Sequence, residues 1–359
     1  MRLSPLKQDL LTLLNGRYGR ISSACLNWKK LLSVAEYSKV ETLLFNQIKD
    51  LDEIAVPEDI RRRLKKSCQI NTLRNIFIMD EFDRVCSSLG SANVDLILLK
   101  GAYFARTIYR HVAGTRKMSD IDILVREEDV ERAHGILESL GYRHPGKNGS
   151  PSIMGGQGGR KAEMYFNGQK DTFLAAPVHL HWHIVNLSAP FFKMNWTGIE
   201  MREIWEGSAP FGGTAGANVR VMDPEHMVLA LASHGLSHGF SRIDLLYDIH
   251  SYIAHYRDAI SWEALAGTAR RWGLTVPLYT GLLLAKSAFY TDIPSGFFKS
   301  LRPGGPSLLE RYMIRYISNH DFPGEGKCVL LYLAMNRTLL SKAHFMLTGL
   351  RSLAFKADN

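Results

Sequence analysis

The chain has 359 residues, 46% of them hydrophobic and 22% charged, with a formal net charge of +9 and no run of about 20 apolar residues. That length and composition exclude a disordered or fibrous chain and a membrane-spanning one, and they predict two or three packed domains. The positive balance favours polyanionic partners such as nucleotides, nucleic acid or anionic lipid, without choosing among them.

Cys25, Cys68, Cys86 and Cys328 are scattered and lack metal-ligand spacing. They read as reduced thiols. "MRLSPLKQDLLTLLNGRYGR" has neither the apolar stretch nor the cleavage site of a signal peptide, so a cytoplasmic location is expected.

Residues 1–90 read as an N-terminal helical region. "SPLKQDLLTLLNG" has a Ser start signal and an Asn-Gly stop. "PEDIRRRLKKSCQINTLRNIFIMDEFDRVCSSLG" opens with Pro and acids and continues as a long amphipathic helix to Gly90. Its basic run, Arg61, Arg62, Arg63, Lys65 and Lys66, is read as a solvated face.

Residues 91–222 read as an α/β unit. "VDLILLKG" is a short buried strand, "AYFARTIYRHV" a helix, "SDIDILV" a strand, and "REEDVERAHGILESLGYR" an amphipathic helix stopped at Gly141. "NGSPSIMGGQGGRK" is a glycine-rich loop, and its Gly155-Gly156-Gln157 is taken as loop only. "AEMYFNGQKDTFLAAPVHLHWHIV" predicts a hairpin with Asn167-Gly168 near its turn. Residues 223–359 read as a C-terminal helical region, beginning at Pro224 and Glu225 with a helix bearing His226, His234 and His238. The apolar, basic tail is read as a core helix. No internal repeat is present.

The chemistry centres on Asp120 and Asp122. Residues two apart on a strand share a face, so these carboxylates project together while Ile121 and Ile123 enter the core. Two adjacent carboxylates repel, and one is largely protonated unless a cation lies between them. Oxygen ligands suit Mg2+, which takes one or two protein carboxylates and completes its shell with substrate phosphate. Such a site polarises a phosphate and aligns an attacking oxygen. Gly101, at a strand-to-helix turn, lets a phosphate approach the backbone, and Lys100, Arg116 and Lys117 supply positive charge.

Leu-Lys-Gly, a helix, then Arg, Ser and Asp-Ile-Asp-Ile-Leu-Val, then a helix closing on Gly-Tyr, resembles the uncharacterised nucleotidyltransferase family of the DNA polymerase β-like superfamily. "VHLHWHI" and "DPEHMVLALASHGLSHGFSRIDLLYDIHSYI" resemble its downstream segments, and the likeness spans roughly residues 70–290. The resemblance implies an α+β fold with a small mixed sheet and flanking helical domains. It implies Asp120 and Asp122 as ligands of Mg2+ (or Mn2+), and Gly101 as the helix-start glycine. Ala102 stands where that motif usually has Gly or Ser. Arg116 and Ser119 would flank the nucleotide pocket, with Lys100 read as a cofactor-binding cation beside them. The reaction would move a nucleoside monophosphate from a metal-bound NTP to an acceptor, releasing pyrophosphate.

One position departs from the pattern. The superfamily's third carboxylate is replaced by His179, with His181 and His183 expected on the same strand face. Three readings stand there. His179 replaces the acid as ligand or general base; the site has degenerated into a module that binds nucleotide or a protein without turnover; or another acid, Glu163 or Asp171, reaches in from the hairpin. A zinc site of His179, His181 and His183 is a further, weaker alternative. His234, His238 and Asp248 are tied to the nucleotide or acceptor only by the resemblance. The acceptor is open: a small molecule, a protein, or RNA, the last suggested by the charge.

Overall fold

The computed structural model describes residues 3–20, 26–51, 54–109, 114–144, 162–167, 176–185, 198–212 and 219–324, with Leu330 and Leu333. The glycine-rich loop, Asp171 and, but for Leu330 and Leu333, the apolar tail lie outside the described residues.

Four helices come first: α1 (Pro5–Leu14), α2 (Trp28–Tyr37), α3 (Glu41–Ile48) and α4 (Glu58–Ser91). The α1 start is as the sequence predicts, with Ser4 Oγ accepting from the Lys7 amide and Pro5 in the first turn. Helix α4 has 34 residues and is about 50 Å long at 1.5 Å per residue. Its basic run is a solvated face, with Arg63 paired to Glu36 and Arg62 to Glu58. Its inward stripe is apolar at both ends but polar in the middle, at Asn71 and Asn75. These amides hold the loop that precedes the Asp-x-Asp strand. Asn71 donates to the carbonyls of Gly114 (2.8 Å) and Arg116 (3.2 Å), and Asn75 donates to Arg116 (2.8 Å). The loop lies so close that a Cβ on Gly114 would meet Thr72 Oγ1 at 2.3 Å, which explains the glycine.

The mixed region follows: β1 (Leu96–Leu98), α5 (Lys100–Arg106), β2 (Ile121–Val125), α6 (Val130–Ser139), β3 (Tyr142–Arg143), β4 (Ala162–Asn167), β5 (Val178–His181), α7 (Met201–Gly207), β6 (Ala209–Pro210) and β7 (Val219–Val221). The strands form one seven-stranded mixed sheet in the order β3-β4-β5-β2-β1-β7-β6. The predicted hairpin is the antiparallel β4–β5 pair. The central strand β2 runs antiparallel to β1 and parallel to β5. All five β2 residues are buried, as expected for a strand covered on both faces.

Six helices close the described chain: α8 (Pro224–Ser237), α9 (Ile243–His255), α10 (Trp262–Arg271), α11 (Thr275–Phe289), α12 (Phe297–Leu301) and α13 (Leu308–Asn319). Asp223 caps α8 by accepting from the His226 amide at 2.8 Å. The helix stops at Ser237, so His238 is its cap rather than a helical residue. The described residues therefore hold thirteen α-helices and a seven-stranded sheet, a mixed architecture. None of these helices is long and apolar enough to cross a membrane. Cys68 and Cys86 are free thiols.

Helix α1 docks on α13 through a buried lysine. Lys7 is 5% exposed and donates to the Ile317 carbonyl at 2.7 Å. Burial pulls its pKa down to about 8, against the opposing pull of Asp321. Between that value and the ordinary 10.5 the unfolded chain binds the extra proton. Stability should therefore rise as pH goes from about 8 to 10.5, by on the order of 3 kcal/mol from this group. Urea unfolding across that range checks it, and Lys7→Met should flatten the slope. An unchanged slope in Lys7→Met would assign the effect elsewhere.

Candidate metal and nucleotide site

The site forms on one face of the sheet, where the end of β1 meets the starts of β2 and β5. The parallel register sets Asp122 beside His179 and Leu124 beside His181. Side chains in register share a face, so Asp122, His179 and His181 come together, while Ile121, Ile123, Val178 and Leu180 enter the opposite layer. The β1–β2 ladder extends one step further, with the Leu99 amide donating to the Asp122 carbonyl at 3.3 Å. That contact puts Lys100 next to the carboxylate. Lys100 takes a left-handed backbone, φ 38°, a strained conformation of the kind that collects at functional sites.

Three nitrogens converge on one oxygen. Asp122 Oδ1 lies 2.7 Å from Lys100 Nζ, 2.8 Å from His181 Nε2 and 3.3 Å from His179 Nδ1. The two imidazole rings have centroids 4.0 Å apart. Burial alone would raise the Asp122 pKa, but Lys100 and the imidazoles outweigh it and hold the carboxyl well below the usual range. Asp120 goes the other way. Burial and repulsion from Asp122 push it up, against Lys100 and a hydrogen bond from Ser119 Oγ at 3.0 Å. The two carboxylates thus differ in the sense that electrostatics demands of a close pair. Burial, with repulsion from His179 and Lys100, lowers His181 to about 3, so its ring is neutral and its nitrogen lone pair is available.

A cavity of about 30 Å3 adjoins this cluster, lined by Lys100, His181, Ser233 and His234 among others. Two of its buried polar atoms, His181 Nδ1 and Ser233 Oγ, have no hydrogen-bond partner among the described residues. His234 stands edge-on to His238, ring centroids 4.8 Å apart, so the i, i+4 relation read from the sequence survives the helix end.

Arg116 and Gly101 are placed together. Arg116 grips Asp248 of α9 through Nε (2.8 Å) and Nη2 (2.7 Å) and lies over the Phe104 ring. A Cβ on Gly101 would stand 3.1 Å from Arg116 Nη1 and 3.4 Å from Met118 Cγ. The glycine admits that guanidinium. Ser119 is exposed at the edge, bonded to Asp120.

The metal-competent group among the described residues is Asp122, His179 and His181, whose donor atoms all lie within 4.8 Å of one another. Asp120 is not in it; its carboxylate accepts from Ser119 Oγ at 3.0 Å. His181 was legible only as one of three alternate histidines. The third, His183, lies past the end of β5 and accepts from the Val185 amide at 3.1 Å, so the three-histidine face does not form. Glu163 does not supply the missing acid. It pairs in register with Leu180, on the other face, and binds His144 at 2.7 Å.

The model of a family described as uncharacterised nucleotidyltransferase matches residues 24–290. The chain belongs to that family. The match takes in α2, α3 and α4 as well as the sheet and α8 to α11. No match was found among the curated proteins or the solved structures.

Proposed function

We propose that the protein transfers a nucleoside monophosphate from an NTP to an acceptor hydroxyl or phosphate, with Asp122 at the reacting centre. The observation that carries this reading is the convergence of Lys100, His179 and His181 on the ionised Asp122, in a member of a nucleotidyltransferase family.

The residues present fit a divalent cation. Asp122 is held ionised, His181 is neutral, and one buried His181 nitrogen is unpartnered. One carboxylate with two imidazoles suits Mn2+ or Zn2+ better than the all-oxygen preference of Mg2+. A bound ion there would neutralise phosphate charge and polarise the phosphoryl group. Asp122, His179 and His181 would hold it, with Asp120 alongside. Lys100 keeps Asp122 ionised and carries positive charge to the phosphates. His179, half-buried at the edge of the cluster, would complete the ligand set. Arg116 fixes the loop that carries Ser119 and Asp120, and Gly101 gives it room.

The comparison does not favour a silent module. The test is pyrophosphate release and label transfer from α-labelled NTPs with Mn2+ or Mg2+. Asp120→Asn/Asp122→Asn should lose both activities and the metal-dependent thermal shift. Transfer at wild-type rate in that variant would end the assignment.

A further inference from the structure

A second concave surface lies on the other side of the Asp-x-Asp loop. It is a cleft of about 320 Å3 between α4 and residues 117–119, at the lower end of the range for small-ligand sites. Ser67, Asn71 and Arg74 line it from one face of α4, Lys117 and Ser119 from the loop, and Lys39 from the turn between α2 and α3. The spacing 67, 71, 74 is one helical stripe.

The lining has three cations and no carboxylate. Lys117 is fixed in the wall by Glu41, which is 2% exposed and accepts from Lys117 Nζ at 2.6 Å and from Ser67 Oγ at 3.0 Å. Among the described residues neither Lys39 nor Arg74 has an ion-pair partner. Lys39 adopts a left-handed backbone, φ 55°, at its turn. Burial and the nearby Arg242 lower its pKa, against the opposing pull of Asp244 and Asp120. Ser119 joins the cleft to the reacting centre through its bond to Asp120.

We propose that this cleft binds a phosphate or polyphosphate group through Lys39, Arg74 and Lys117. Its place in a transfer reaction rests on the function proposed above; the binding itself does not. The phosphate belongs either to the triphosphate tail of the nucleotide or to a phosphorylated acceptor, and both present the same chemistry.

Tripolyphosphate, titrated calorimetrically into the full chain without metal, is the probe. Arg74→Gln and Lys39→Gln should each weaken binding about tenfold, the scale of one lost charged hydrogen bond. Lys65→Gln, on the solvated face of the same helix, should leave it unchanged. Circular dichroism of each variant secures its folding. Equal affinity in wild type, Arg74→Gln and Lys39→Gln overturns the proposal, as does an equal loss in Lys65→Gln, which would mean diffuse attraction to a basic surface. Asp122→Asn should keep tripolyphosphate binding while losing transfer, so the two assignments fail separately. Displacement of tripolyphosphate by ATP supports the nucleotide tail as the source. Simultaneous binding of inorganic phosphate and ATP supports a phosphorylated acceptor.

Discussion

Arg116→Met is expected to cost about 3–5 kcal/mol of stability, the range for removing one partner of a buried ion pair. The Arg116 side chain is 17% exposed and that of Asp248 only 4%. Asp248 is pushed up by burial and pulled back by Arg116 through charge and two hydrogen bonds. Without the guanidinium it would be a buried acid with only the lesser pull of Arg242 to offset burial. The pair also ties the loop before β2 to α9, across 132 residues of chain, so the variant should loosen Ser119 and Asp120 as well. Asp248→Asn should cost less, because it leaves a polar side chain beside the guanidinium. Arg116→Met/Asp248→Leu should recover much of the loss, because desolvation of both charges is then avoided. Urea unfolding of these proteins and of Asp248→Leu alone closes the double-mutant cycle and measures the coupling. A single-variant cost under about 1 kcal/mol would remove this pair as the anchor of the loop.

Lys100→Met is the second large effect. The Lys100 ammonium is the cation that compensates Asp122, and the two side chains are 17% and 5% exposed. Its loss should destabilise the chain by about 3 kcal/mol in chelator. It should also change the response to metal. Lys100 and a divalent ion would compete for the same carboxylate oxygen, so Lys100→Met should show a larger Mn2+ or Zn2+ thermal shift than wild type. Asp122→Asn should show none. Acid unfolding reports on the same pair. Asp122 is depressed in the folded state, so its stabilisation is complete above about pH 4 and fades as pH falls toward the lower folded value. In Lys100→Met the folded value should rise, so that loss should be smaller and should end at higher pH. A variant with wild-type stability, metal response and acid limb would show that Lys100 does not balance Asp122.

The local elements were legible because their causes are local. Ser4 before Pro5 and Asp223 before Pro224 start helices through hydrogen bonds three residues long. The apolar runs around Asp122 make a buried strand, and the aspartate inside it marked the candidate site. Reading His179, His181 and His183 as one face failed at the third, because alternation holds only while the strand lasts, and β5 ends at His181.

The sequence by itself determined the helices, the Asp-x-Asp strand, the hairpin and, through its resemblance, the family. Only the tertiary structure decided which groups meet. The parallel β2–β5 register sets His179 opposite Asp122, the docking of α9 brings Asp248 to Arg116, and the packing of α4 against the 117–119 loop assembles Lys39, Arg74 and Lys117 around one cleft. These contacts join residues far apart in the chain, 132 positions in the case of Arg116 and Asp248. No capping rule or periodicity reaches so far. They follow from how buried surfaces fit together, which depends on the whole chain at once.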